Sequence, residues 1–75
     1  GAYALAIDFT AALKNGDIAR AAHILQQADR MEAAERAAFE TAVGKAQFPE
    51  AVDNLDDLGS LAVDGARVLF ASSQV

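Results

Sequence analysis

The stretch Phe9 to Ala28, FTAALKNGDIARAAHILQQA, decides the fold. Apolar residues recur at helical spacing up to Leu13, stop at Asn15-Gly16-Asp17 and resume at Ile18. Glycine tolerates the left-handed backbone that closes a helix, and an aspartate just after it is placed to cap the next one. The stretch therefore reads as a helix, a tight turn and a second helix folded back on the first. Thirty residues later the same apolar positions return: Phe9 pairs with Phe39, Ala12 with Ala42, Leu13 with Val43, Ile18 with Phe48, Ala21 with Ala51, Leu25 with Leu55 and Ala28 with Leu58. The polar positions between them do not match. Stacked helical hairpins produce this pattern, because only inward positions are constrained when each unit buries its face on the next.

The first helix is expected over Ala2 to Lys14, with Leu5, Phe9, Ala12 and Leu13 as its core stripe. A second row, Tyr3, Ile7, Thr10 and Lys14, lies on a different side. The second helix runs from Ile18 to about Gln27, burying Ile18, Ala21, Ala22, Leu25 and Ala28 and turning Arg20, His23, Gln26 and Gln27 to water. Asp29 and Glu32 have the D-x-x-E form of a capping box, so a third helix is expected from about Arg30 to Ala46. Its core row is Met31, Ala34, Ala38, Phe39, Ala42, Val43 and Ala46, and Glu32, Arg36 and Glu40 make a charge ladder one turn apart.

Proline suits the first position of a helix and disfavours helix before it. Pro49 is thus expected to open a fourth helix, with Phe48 stapled onto Val52 and with Ala51, Val52, Leu55 and Leu58 inward. Gly59-Ser60 reads as a stop and a cap before a last helix from Leu61 to about Ser72, with Leu61, Val68 and Leu69 inward. The alternative is one long helix from Pro49 to Ser72 with Gly59 inside it. Tyr3, Ile7, Val63 and Phe70 fall off these rows, and are either an exposed apolar patch or part of the core. The expected organisation is one all-α domain over 1–75, a small bundle of four to five helices: hairpin 1 at about 2–28, hairpin 2 at about 30–58 and a final helix at about 61–72.

Composition agrees with that class. Seventy-five residues make one domain at most, burying only about 60 % of the unfolded surface. Alanine, the best helix former, leads an apolar majority, while β-branched and aromatic residues are sparse. A net charge of −5 with six scattered basic residues argues against nucleic acid and against an anionic membrane surface. No cysteine is present, which fits a reducing compartment, and no apolar run approaches the ~20 residues of a membrane span. A cytoplasmic protein, or a domain cut from a larger one, is expected, with Gly1-Ala2 as a cloning remnant and Ser72-Ser73-Gln74 as the start of a linker.

Within the first unit Gly16, Ile18, Ala21, Leu25 and Ala28 follow the spacing of the turn and second helix of tetratricopeptide repeats, and this stretch of about twenty residues resembles a TPR-like helical hairpin. The signature Trp, Leu and Gly of that family's first helix are replaced by Leu5, Asp8 and Phe9, the closing Pro is missing, and the period is shorter than the family's ~34. The resemblance implies a peptide groove lined by the first helix of each unit, here presenting Tyr3, Thr10 and Lys14 and then Arg36 and Glu40.

Motifs for chemistry are thin. His23 has no Cys or second His with which to build a zinc site. Asp53-Asn54-Leu55-Asp56-Asp57 lacks the ligand spacing, glycine and closing glutamate of a calcium loop, and suits the wet face of a helix. Leu58-Gly59-Ser60-Leu61 resembles the serine loop of acyl carrier proteins, but lacks the Asp before the serine and room for two further helices after it. The expected function is accordingly non-enzymatic and free of cofactors and metal: a protein-protein interaction module for a peptide or helix of a partner, acting through Tyr3, Ile7, Thr10, Lys14, Arg36 and Glu40. The alternatives are a docking or homodimerisation domain of a larger assembly, including an effector or chaperone domain, and an acyl-carrier-type domain.

Overall fold

The computed structural model describes residues 1–73, which form four α-helices and one short 3-10 turn: α1 (Ala2–Lys14), α2 (Ile18–Asp29), α3 (Ala33–Gln47), a 3-10 turn (Val52–Asn54) and α4 (Leu55–Ser73). No strand occurs among the described residues. α3 is the central element, packed most extensively on α4 and α1, while α2 lies chiefly on α1 and touches α3 and α4 lightly. The radius of gyration is 11.5 Å, close to the ~11 Å of a well-packed chain of this length.

The α1–α2 turn forms as its residues dictate. Gly16 takes a φ of +72°, the Asp17 N–H donates to the Ala12 carbonyl at 2.8 Å and the Gly16 N–H to Leu13 at 3.1 Å. These two bonds make a Schellman closure. The Asp17 carboxylate then accepts from the Arg20 N–H at 3.1 Å, capping α2.

Two later boundaries differ from expectation. Asp29 does not open α3; it is the last residue of α2, and Glu32 holds the N-cap position of α3 without a side-chain bond. The carboxylate of Asp29 is taken instead by Arg67 of α4, in a paired contact that a single backbone amide does not match. Nor does Pro49 begin a helix: the Ala51 N–H donates to the Phe48 carbonyl at 3.0 Å, placing Pro49 second in a tight turn, another position its fixed φ suits. The chain reaches α4 only at Leu55, and Phe48 and Val52, 40 % and 73 % exposed, close no staple.

Gly59 does not stop a helix. It is buried inside α4, so the expected fourth and final helices are one 19-residue helix, the alternative that keeps Gly59 inside it, beginning at Leu55 and not at Pro49. A Cβ on Gly59 would overlap the Glu40 carbonyl, and one on Gly44 would overlap the Leu55 carbonyl while lying 3.0 Å from the Gly59 nitrogen. The two glycines mark a crossing where α3 and α4 meet backbone to backbone.

The core is Ala6, Phe9, Ala12, Ala21, Ile24, Leu25, Ala28, Phe39, Ala42, Val43, Val63, Ala66 and Phe70. Phe9 and Phe39, both fully buried, meet edge to face with centroids 5.8 Å apart. Ala34 and Ala38 are exposed, as is Ile18, because α2 turns Ile24 inward instead. On α4 the expected row is reversed: Leu61, Val68 and Leu69 face out, while Gly59, Val63, Ala66 and Phe70 face in. Of the four residues left off the rows, Val63 and Phe70 join the core, and Tyr3 and Ile7 stay exposed. Ser72 lies within α4, and Gln74 of the expected linker is outside the described residues. None of the described helices is long and apolar enough to cross a membrane.

Gly65 sits on the same helix as Gly59, yet a Cβ there would meet nothing within 4 Å. Gly65→Ala should therefore raise stability by about 0.5–1 kcal/mol through helix propensity. Gly59→Ala should lower it by about 2 kcal/mol, because the backbones must separate. Thermal melts check the pair: opposite signs of ΔTm are expected, and a melting temperature raised by both would show that the α3–α4 crossing tolerates a methyl group.

Candidate interaction surface

The six residues singled out by sequence fall into two groups. Tyr3, Ile7, Thr10 and Lys14 recur at i, i+4, i+7 and i+11 along α1, the spacing of one helix face. Tyr3 and Ile7 are 62 % and 43 % exposed, Lys14 is exposed and Thr10 is half-buried. The Thr10 hydroxyl is shielded from water and lacks a hydrogen-bond partner, which costs free energy wherever a polar group is buried.

Arg36 and Glu40 lie elsewhere, half-buried on α3 where it faces α4. Glu32, Arg36 and Glu40 close no ion pair with one another among the described residues. Arg36 and Glu40 act instead as charges around the pair made by Asp29 and Arg67. No hydrogen bond or ion pair among the described residues joins them to the α1 row.

That pair is a two-pronged contact. The Arg67 nitrogens donate to the two Asp29 carboxylate oxygens at 2.8 and 2.5 Å, linking the end of α2 to the last third of α4. The Arg67 hydrogen bond holds the Asp29 carboxyl below its ordinary range, against a smaller opposing effect of desolvation, and the positive charges of Arg67 and Arg36 add to it. Reciprocally, the hydrogen bond to Asp29 holds Arg67 more firmly protonated, with Asp64 and Glu40 contributing. The pair rims a shallow cleft of about 240 Å³ between α2 and α4, floored by Ala22, Leu25 and Phe70.

A second cleft, of about 290 Å³, opens at the α3–α4 joint and is lined by Thr41 and the acidic run Asp53 to Asp57. Asp56 accepts a 2.6 Å bond from the Thr41 hydroxyl, so one of its acids is already engaged. No group of three or more His, Cys, Asp or Glu among the described residues is arranged to hold a metal ion. His23 is exposed and lies 3.1 Å from the Gln27 amide one turn on. Ser60 lies half-buried within the continuous α4, not in a loop before a helix.

Sequence reasoning missed the outer face of α4. Leu61, Val68 and Leu69 are 66 %, 68 % and 58 % exposed, with exposed Gly65 among them. Helical spacing places Leu61 and Val68 on one side of α4 with Leu69 beside them, but the expected row of Leu61, Val68 and Leu69 is inward, the opposite of what the structure shows.

Geometry and burial thus define a small all-α bundle with apolar side chains left outside its core. The chain matches no protein-family model, and comparison with curated proteins and with solved structures found no match.

Two measurements probe these contacts. The folded-state pKa of Asp29 is depressed, so the stability it contributes is present above the ordinary carboxylate pKa and is lost as pH falls below about 4. Both partners are more than a third exposed, so the effect is screened. Arg67→Gln should flatten the acid limb of the urea midpoint against pH, most visibly at low salt; an unchanged acid limb would remove the pair from the stability balance. Thr10→Val, which deletes the unpartnered hydroxyl, should raise the unfolding free energy by about 1 kcal/mol; a fall would mean that the hydroxyl is satisfied in solution.

Proposed function

We propose that this domain is a non-enzymatic protein-protein interaction module that binds a peptide or helix of a partner protein. The observation that carries this reading is the exposure of Tyr3 and Ile7 on α1 and of Leu61, Val68 and Leu69 on α4, in a bundle whose core is closed without them. Apolar side chains on a helix face cost solubility and add nothing to such a core, and patches of this kind are what partner helices cover. On α1 the reading assigns recognition to Tyr3, Ile7, Thr10 and Lys14, which share one helix face. Arg36 and Glu40 are given a lesser part, as charges already turned to the Asp29–Arg67 pair. A TPR-like origin for the two hairpins belongs to the same proposal, supported by the contact of Phe9 with Phe39, the equivalent positions of the thirty-residue repeat.

The test is site-directed photo-crosslinking in cells of the source organism. A benzophenone amino acid at Tyr3 or Leu61 should give discrete adducts of higher mass, whereas one at the exposed Ala19 of α2 should give none. Equal labelling at all three positions, or no adduct from either helix, would refute the module reading.

A further inference from the structure

The outer face of α4 is more specific than a greasy patch, because its composition names the chemistry of what covers it. Asp57, Leu61, Asp64 and Val68 recur at i, i+4, i+7 and i+11, so two carboxylates alternate with two large apolar side chains along one row, all exposed. Leu69 and Gly65 stand beside that row. The only basic residue on α4 is Arg67, and Asp29 holds it in a two-pronged bond. The third acid, Asp56, is engaged by Thr41. Asp57 and Asp64 make no hydrogen bond or ion pair among the described residues; Asp57 stands in the first turn of α4, where the helix dipole favours an acid, and Asp64 acts at longer range on Arg67, but both carboxylates stay open to a cation from outside.

Gly65 adds an independent observation. Glycine inside a helix is unfavourable, and at Gly59 the close approach of α3 accounts for it. Among the described residues nothing comes within 4 Å of where a Cβ on Gly65 would stand. An exposed glycine between Leu61 and Leu69, one turn from each, leaves a notch through which another helix can come near the α4 backbone, with flanking apolar side chains to either side.

We propose that this face docks a basic amphipathic helix of a partner protein, with its apolar residues on Leu61, Val68 and Leu69, its backbone closest at Gly65, and Lys or Arg side chains on Asp57 and Asp64. The proposal rests on the interaction-module reading and says which face and what partner chemistry. A second copy of this chain is the poorer occupant. In a two-fold contact centred on α4 the same patch meets itself, so the carboxylates of Asp57 and Asp64 from both copies are gathered in one interface, and the one basic residue of the helix, Arg67, is already bonded to Asp29. An anionic membrane surface meets the same repulsion.

The experiment is selection from a displayed library of helical peptides, apolar on one stripe and randomised on both flanks, against the immobilised domain. The sequences recovered should carry Lys or Arg along one flank, and their affinity should fall as salt is raised from 50 to about 300 mM, because exposed charge pairs are screened. Asp57→Lys with Asp64→Lys should weaken the selected peptide at least tenfold and restore binding to its Lys-to-Glu counterpart. Gly65→Leu should weaken it comparably while the circular dichroism holds and the melting temperature does not fall, which separates a blocked notch from an unfolded domain. Acidic or neutral flanks among the winners, or indifference to the charge reversal, would overturn the proposal. So would a concentration-dependent mass in sedimentation that Val68→Glu abolishes, since that assigns the face to a second copy. Binders that depend on Tyr3 and Ile7 but not on Leu61 and Val68 would sink this assignment and leave the module reading standing; a library yielding no binder to either face would remove both.

Discussion

The fold depends on one steric constraint, the backbone-to-backbone crossing of α3 and α4 at Gly44 and Gly59. With no side chain on either residue, the Glu40 carbonyl sits against Gly59 and the Leu55 carbonyl against Gly44. That contact sets both the separation of the two helices and the rotation of α4 about its axis. Once Gly59 faces α3, helical spacing carries Val63, Ala66 and Phe70 inward with it. The same rotation brings Asp56 to Thr41 and Arg67 to Asp29, and leaves Leu61, Gly65 and Val68 turned out. A single contact thus decides which half of an apolar helix becomes core and which becomes surface.

The rest of the core follows the same economy. A chain of this length buries too little surface to waste volume, and it closes its interior with alanines between a few large groups. Phe9 and Phe39 fill the α1–α3 seam, where each fully buried ring contributes about 1.5–3 kcal/mol and their edge contact about 1 kcal/mol more. Ala6, Ala12 and Ala42 let the helices come close enough for those rings to meet. The α1–α2 hairpin needs less tertiary support, because the Schellman closure at Gly16 and the Asp17 cap complete its turn from residues within the turn itself.

This division explains what was legible in the chain. Helix α1, the Gly16 turn and the start of α2 were readable because their determinants are local: a stripe, a closing glycine and a capping aspartate. Asp29 and Glu32 looked equally local, yet the partner of Asp29 lies 38 residues away, and no short window contains Arg67. Gly59 was ambiguous because glycine serves both to end a helix and to admit a neighbour, and only α3 distinguishes the two. The inward side of α4 is not legible in the sequence for a related reason. A helix apolar over more than half its circumference has no unique inward side until a neighbour chooses one. Of the residues expected to meet a partner, the exposure of Tyr3 and Ile7 is legible because they fall off a well-marked core stripe. Arg36 and Glu40 could not be placed, since their surroundings are set by α4.

Gly59 and Gly65 show how far a residue's meaning lies outside the residue. They stand six positions apart on the same helix, and intrinsic propensity penalises both alike. At Gly59 the neighbouring backbone accounts for the penalty in full, for any larger residue would push the helices apart. At Gly65 the surrounding space is empty, so nothing within the domain offsets it. The inner face of α4 is constrained by packing to a narrow choice of side chains, while the outer face is free of that constraint and still carries leucine and valine beside exposed aspartate. Stability by itself would favour alanine or a long polar residue at those outer positions. Asp57 suits the first turn of the helix; the exposed Leu61, Val68 and Leu69 are the part of α4 that the fold does not explain.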